Sequence, residues 1–185
     1  MLFDNKVAGI LNEFAFDYGR RIYGRDVAKR LKMNQKTVSN ILNKLEKEDI
    51  LKFSSEGKNK YYYLNKFNPN IREVVKLVEI NRKIIFIEKN KKLKGLFDKL
   101  EQRTEGILIV FGSYAKGSNT EKSDLDILVI GKIQSVSDLE DLYNMKINAV
   151  TSDKRRFDKN ERIIIEIIKS HIVLKGVEEF IGLIW

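Results

Sequence analysis

Cysteine is absent from all 185 residues. That excludes a disulfide scaffold, a thiolate nucleophile and a cysteine-based zinc site. Histidine is reduced to His171, which excludes a histidine-rich metal cage and is read as structural. No apolar run approaches the ~20 residues a membrane span needs, so no membrane partner is expected. Met1–Lys6 shows no basic segment followed by an apolar one, so no secretory leader and a cytoplasmic location are expected. Proline occurs once, at Pro69, where it marks a boundary between elements. What remains is 43% hydrophobic and 33% charged, too apolar for a disordered chain and enough for one large domain or two small ones.

The charge is uneven. Residues 1–67 carry 14 basic and 8 acidic side chains, residues 68–103 carry 10 and 5, and residues 104–185 carry 11 and 13. A basic front and a mildly acidic back suggest two units with different partners. A lysine-rich solubilising surface would give the same totals, so motifs must decide.

Hydrophobic periodicity predicts helices over Asn5–Phe16, Arg25–Leu31 and Gln35–Lys47, with Gly19–Tyr23 as a break and Asn34 as an N-cap. The stripe Val38, Ile41, Leu42, Leu45 runs at i, i+3, i+4, i+7. Strands are predicted at Leu51–Ser54 and Lys60–Leu64 around a polar turn, Ser55–Asn59. If the stripe faces inward, Lys36, Ser39, Asn40 and Asn43 face out as groups suited to base edges and phosphates. Lys58 and Lys60 sit at the hairpin, and Arg20, Arg21 and Arg25 could meet phosphates from the other side. The three tyrosines Tyr61–Tyr63 are read as alternating strand residues rather than base-stacking platforms.

This order, with its core from Gly24 to Glu46, resembles a winged helix-turn-helix domain of bacterial and archaeal regulators. The resemblance implies a DNA-binding domain over 1–66 that binds duplex DNA through Arg25, Lys36, Ser39, Asn40, Asn43, Lys58 and Lys60. A protein-interaction module on the same fold is the alternative.

Residues 67–91 read as a connector helix inside a helical stretch, Asn70–Arg103, broken near Asn90 or Gly95. Ile71, Val74, Val75, Val78 and Ile85 lie near one face, which Leu77, Ile80 and Ile84 widen. Either domain or a second copy could cover it. A homodimer is expected, as is usual for winged-helix regulators.

The back of the chain holds the most informative stretch. An apolar strand, Ile107–Phe111, meets Gly112-Ser113; ten residues later Asp124-Leu125-Asp126 enters a second apolar strand ending at Ile130. Gly112 lets the backbone turn tightly beside a ligand. Ser113 and the amides after it can hold phosphate oxygens, with Lys116 adding positive charge. Residues two apart on a strand share a face, so Asp124 and Asp126 point together while Leu125 points into the core. Two such carboxylates repel unless a cation lies between them, and hard oxygens suit Mg²⁺. Further on, a helix is predicted over Ser137–Tyr143, a strand over Ile147–Val150, and helices over Asp158–Ser170 and Val177–Leu183 flanking the apolar stretch His171–Leu174.

The stretch resembles the polymerase-beta-like nucleotidyltransferase superfamily in its minimal form, over 92–185. The resemblance implies a small mixed sheet with helices, ATP or another nucleoside triphosphate held by Gly112 and Ser113, and Mg²⁺ on the catalytic Asp124 and Asp126. It also implies a third carboxylate on the next strand, where Asn148 stands. The sequence thus reads as a two-domain α/β chain: a winged helix, a connector and a nucleotidyltransferase domain. The function expected is transfer of AMP from ATP to a hydroxyl of a toxin, another protein or a small molecule. The alternative is a transcriptional regulator or antitoxin that binds nucleotide without turnover.

Overall fold

Helix α3, Gln35–Lys47, begins where the Asn34 side chain accepts a hydrogen bond from the Lys36 amide at 2.8 Å. This is the N-cap the sequence predicts, and it satisfies one donor left over at the helix start. Val38, Leu42 and Leu45 are buried while Ile41 is half-buried. Each fully buried aliphatic side chain contributes about 1.5–3 kcal/mol.

The computed structural model describes residues 4–155 and 157–185. They form two compact units, Met1–Val78 and Glu79–Trp185. In the first, α1 (Asn5–Ala15), α2 (Gly24–Arg30) and α3 precede a hairpin of β2 (Leu51–Glu56) and β3 (Asn59–Leu64). Two expectations need correction. The segment read as a mere break contains β1, Ile22–Tyr23, which pairs antiparallel with β3 and gives a sheet of order β1-β3-β2. A two-residue strand carries too little alternation to be seen in sequence. The hairpin turn is also tighter than expected. Glu56 pairs with Asn59, leaving Gly57 and Lys58 at the tip with Gly57 at φ +58°, the hand that matches strand twist. This is the winged helix-turn-helix arrangement.

Helix α4 spans Ile71–Lys89 and carries the division between the units. Within the first unit its Val74, Val75 and Val78 adjoin Leu11, Phe14 and Tyr18. Leu77, Ile80 and Ile84, the stripe expected to widen the apolar face, are each about 40% exposed. The helical stretch breaks at Asn90, ahead of a 3₁₀ turn (Lys91–Leu93) and α5 (Lys94–Arg103).

In the second unit, β4 (Thr104–Phe111), α6 (Gly112–Lys116), β5 (Leu125–Ile133), α7 (Ser137–Tyr143), β6 (Ile147–Ser152), α8 (Arg162–Ile168), β7 (Ile172–Lys175) and α9 (Val177–Ile184) follow in order. The sheet order is β6-β5-β4-β7, with β5 and β6 parallel and the other pairs antiparallel. The apolar stretch after His171 is therefore a strand, and the helix expected over Asp158–Ser170 shortens to α8. One face of the sheet packs Leu108, Val110, Leu125, Ile127 and Val129 against α5 and α7. The other packs Ile107, Ile109, Leu128 and Ile130 against α8 and α9. His171 is fully buried, as its structural reading requires; its Nδ1 lies 2.6 Å from the Ile168 carbonyl and its ring 4.8 Å from that of Phe180. Buried Glu79 and Arg82 of α4 join it, the two pairing with each other at 2.8 Å.

Candidate functional site

Strand β4 ends at Phe111 and the chain turns at Gly112 with φ +67° into α6. A Cβ at that position would stand 2.1 Å from Asp126 Oδ2. Both the backbone hand and the close approach therefore demand glycine. Phe111 pairs with Asp126 across the β4–β5 ladder, and Asp126 pairs with Asn148 across β5–β6. Leu125 is fully buried between the aspartates, pinning the register that sends both carboxylates to the opposite face.

Asn148 completes the cluster. Its Nδ2 donates to Asp126 Oδ1 at 3.0 Å and to Asp124 Oδ2 at 3.4 Å. An amide N–H thus sits where two like charges face each other. Among the described residues no group of three or more His, Cys, Asp or Glu could hold a metal. The donor set is two carboxylates and one amide. Two hard, anionic oxygens on one face would suit one divalent cation and offer no third anion for a second.

Ser113 follows Gly112 and is half-buried. Lys116 lies exposed in the last turn of the five-residue α6. Its charge reaches Glu166 of α8, whose carboxyl is held below its ordinary range chiefly by a hydrogen bond from Lys169 and more weakly by Arg162 and Lys116. The sequence reading missed this α8 charge group, because it depends on α8 folding back over the sheet face that bears the aspartates. Tyr114 is buried under α6, and burial raises its hydroxyl pKa.

The N-terminal unit holds a cleft of about 400 Å³ between α3 and the wing, lined by Arg25, Lys36, Ser39, Lys58, Lys60 and Gln35 among others. Five of the seven residues expected to contact DNA therefore converge on one groove. Asn40 is exposed on α3 and is not among the lining residues. Asn43 is exposed on α3, and its Oδ1 accepts a 2.8 Å hydrogen bond from buried Tyr62, so it also ties helix to wing. Arg20 and Arg21 are likewise not among the lining residues. Arg21 pairs with Glu56 at 2.6 Å, while Arg20 reaches the backbone and carboxylate of Glu13, whose main partner is Arg30 at 2.6 Å. Lys60 rests over the Phe53 ring at 4.1 Å. Tyr23, unforeseen, also lines the groove and supports the Arg25 guanidinium at 5.8 Å from its ring.

No helix among the described residues is long and apolar enough to cross a membrane. Several solved structures are partly similar. One is a homodimeric winged helix-turn-helix DNA-binding domain from Mycobacterium bovis, "a possible ArsR-family transcriptional regulator" (21% identity, 42% of this chain and 67% of that one, TM-score 0.35). Another is a toxin–antitoxin structure with AMP-PNP (16% identity, 56% and 78%, TM-score 0.35). At these scores neither likeness carries an argument about function. Sequence similarity is stronger. The nucleotidyltransferase domain family matches residues 91–181. The "Putative protein adenylyltransferase" of Methanocaldococcus jannaschii is 33% identical over 82 residues, spanning 40% of this chain and 82% of that protein. The family match encloses Gly112, Asp124, Asp126 and Asn148 alike, and with that relative covered over most of its length, the chain belongs to the nucleotidyltransferase domain family.

Proposed function

We propose that the chain is a DNA-binding regulator whose C-terminal domain transfers a nucleoside monophosphate, AMP from ATP, to a protein hydroxyl. The observation that carries the transferase part is the Asp124–Asp126 pair set against the bare backbone of Gly112. In this reading Gly112 and Ser113 hold the triphosphate, Lys116 adds positive charge nearby, and Asp124 and Asp126 hold Mg²⁺. The ion, when bound, would offset charge on the phosphates. The acceptor oxygen bonds to the α-phosphorus as the bond to pyrophosphate breaks; pyrophosphate leaves and the hydroxyl proton passes to water. A protein acceptor, for which a toxin is one candidate, follows the name of the M. jannaschii relative. The groove lined by Arg25, Lys36, Ser39, Lys58 and Lys60 supports duplex DNA as the other partner. The partly exposed Leu77, Ile80 and Ile84 support a homodimer.

A second reading, nucleotide sensing without turnover, is favoured by Asn148, which stands where the family resemblance implies a third acid and whose Nδ2 donates to Asp126. The deciding experiment incubates the full chain with α-labelled ATP, Mg²⁺ and the product of the neighbouring gene. Label on the partner with matching pyrophosphate release supports transfer. Nucleotide binding with neither product overturns transfer in favour of sensing.

A further inference from the structure

The second unit contains a cavity that the carboxylate site does not use. It measures about 550 Å³, within the ~300–1,000 Å³ of small-molecule sites. Its floor is apolar: Tyr114, Met145 and Leu93 belong to the core face packed against α5 and α7. Asp126 alternates with Leu125 and Ile127 of that face and therefore projects from the other side of the sheet. The cavity and the carboxylates thus lie on opposite faces.

Around the floor the chemistry changes. Lys89, Lys91 and Lys92 arrive together where α4 gives way to the 3₁₀ turn. Asn119, Thr120 and Glu121 form the facing wall, and the Tyr114 hydroxyl donates to Met145 Sδ at 3.9 Å across the floor. Glu88 and Glu121 also line the cavity, leaving an excess of one positive charge. A polarisable thioether and an aromatic ring suit a flat apolar body. Clustered ammonium groups suit a phosphate. An inorganic anion would leave the apolar floor uncovered, and a neutral ring would leave the lysines unanswered.

We propose that this cavity, lined by Lys89, Lys91, Lys92, Tyr114, Asn119 and Met145, binds a mononucleotide at a second site independent of Asp124 and Asp126. The nucleobase lies on Met145 and Tyr114 and the phosphate meets the lysines, so binding needs no divalent ion.

The test measures binding of AMP and of inorganic phosphate to the full chain in excess chelator by calorimetry. Three variants are compared: Asp124→Asn with Asp126→Asn, Lys89→Ala with Lys91→Ala and Lys92→Ala, and Met145→Trp, which fills the floor. Thermal unfolding confirms that each is folded. The expected result is AMP binding in the parent and the aspartate variant alike, at least tenfold weaker in the lysine and tryptophan variants. Inorganic phosphate should bind at least tenfold more weakly than AMP. No AMP binding without metal, binding that ignores Lys89, Lys91, Lys92 and Met145, or phosphate binding as tight as AMP would overturn the proposal. None of these outcomes bears on label transfer, which is read with Mg²⁺ and the acceptor present.

Discussion

The groove of the N-terminal unit and the carboxylate cluster of the C-terminal unit obtain their shape from different parts of the chain. In the groove, long side chains reach inward from α2, α3 and the wing, and the backbone only spaces them. Moving one lysine by an ångström costs little, because a phosphate can be met from many angles. In the cluster, positions are set by the ladder Phe111–Asp126–Asn148 and by a glycine whose missing Cβ is part of the geometry. There an ångström decides everything. The first site should therefore tolerate substitution and respond to salt, and the second should do neither.

The largest effect expected is at Asn148. If the amide stands in for an absent acid, Asn148→Asp should raise Mg²⁺-dependent transfer by up to about 10²–10⁴-fold, the range a positioned base supplies. Single-turnover label transfer, parent beside variant, measures it. Fast transfer by the parent and none gained by the variant would show that Asn148 is not the missing group. Gly112→Ala comes next. A methyl 2.1 Å from Asp126 Oδ2, on a backbone at φ +67°, should lower transfer about 100-fold while leaving DNA affinity unchanged. Loss of both activities together would break the contrast between the sites.

Smaller changes belong to the groove. Lys58→Ala with Lys60→Ala should weaken duplex DNA of any sequence and reduce the slope of log affinity against log salt by about 2. Fluorescence anisotropy across a salt series reads it. Tyr62→Phe removes the hydrogen bond to Asn43 and should cost about 1 kcal/mol of stability in that unit, visible in urea unfolding. Smallest is a pH effect in the second unit. Arg103 holds the Asp138 carboxyl down to about 2. The contribution is complete above the ordinary carboxylate range near pH 4 and lost as pH falls towards 2. Asp138→Asn should remove that part of the acid sensitivity in a thermal-unfolding series.

The sequence was most legible where local chemistry and tertiary packing agree. Helix α3 and its Asn34 cap are there to be read, because the Val38–Leu45 stripe and the cap use the same residues. So are the β4–Gly112–Ser113 turn and the spacing that puts Asp124 and Asp126 on one face. It was silent where a residue's role is fixed by something far along the chain. Asn43 has the look of a base-reading residue on an exposed helix face; only the hairpin's register reveals that Tyr62 claims it. Arg20 and Arg21 read as phosphate contacts in sequence; that they also pair with Glu13 and Glu56 is visible only in the fold. Strand β7 was hidden because a four-residue apolar run between helices has no period of its own.

Helix α4 bears on how the protein can be taken apart. Its first turns close over Leu11, Phe14 and Tyr18, and farther along it Arg82 donates to the carbonyl of His171, just ahead of β7, and Lys83 to that of Leu174 within it. A fragment cut ahead of the helix would leave the winged-helix core uncapped. A fragment begun after it would leave His171 without Glu79 and Arg82, and Glu101 without Lys83. Because α4 is unbroken helix across the division between the units, a protease that nicks only unfolded chain should cut slowly there.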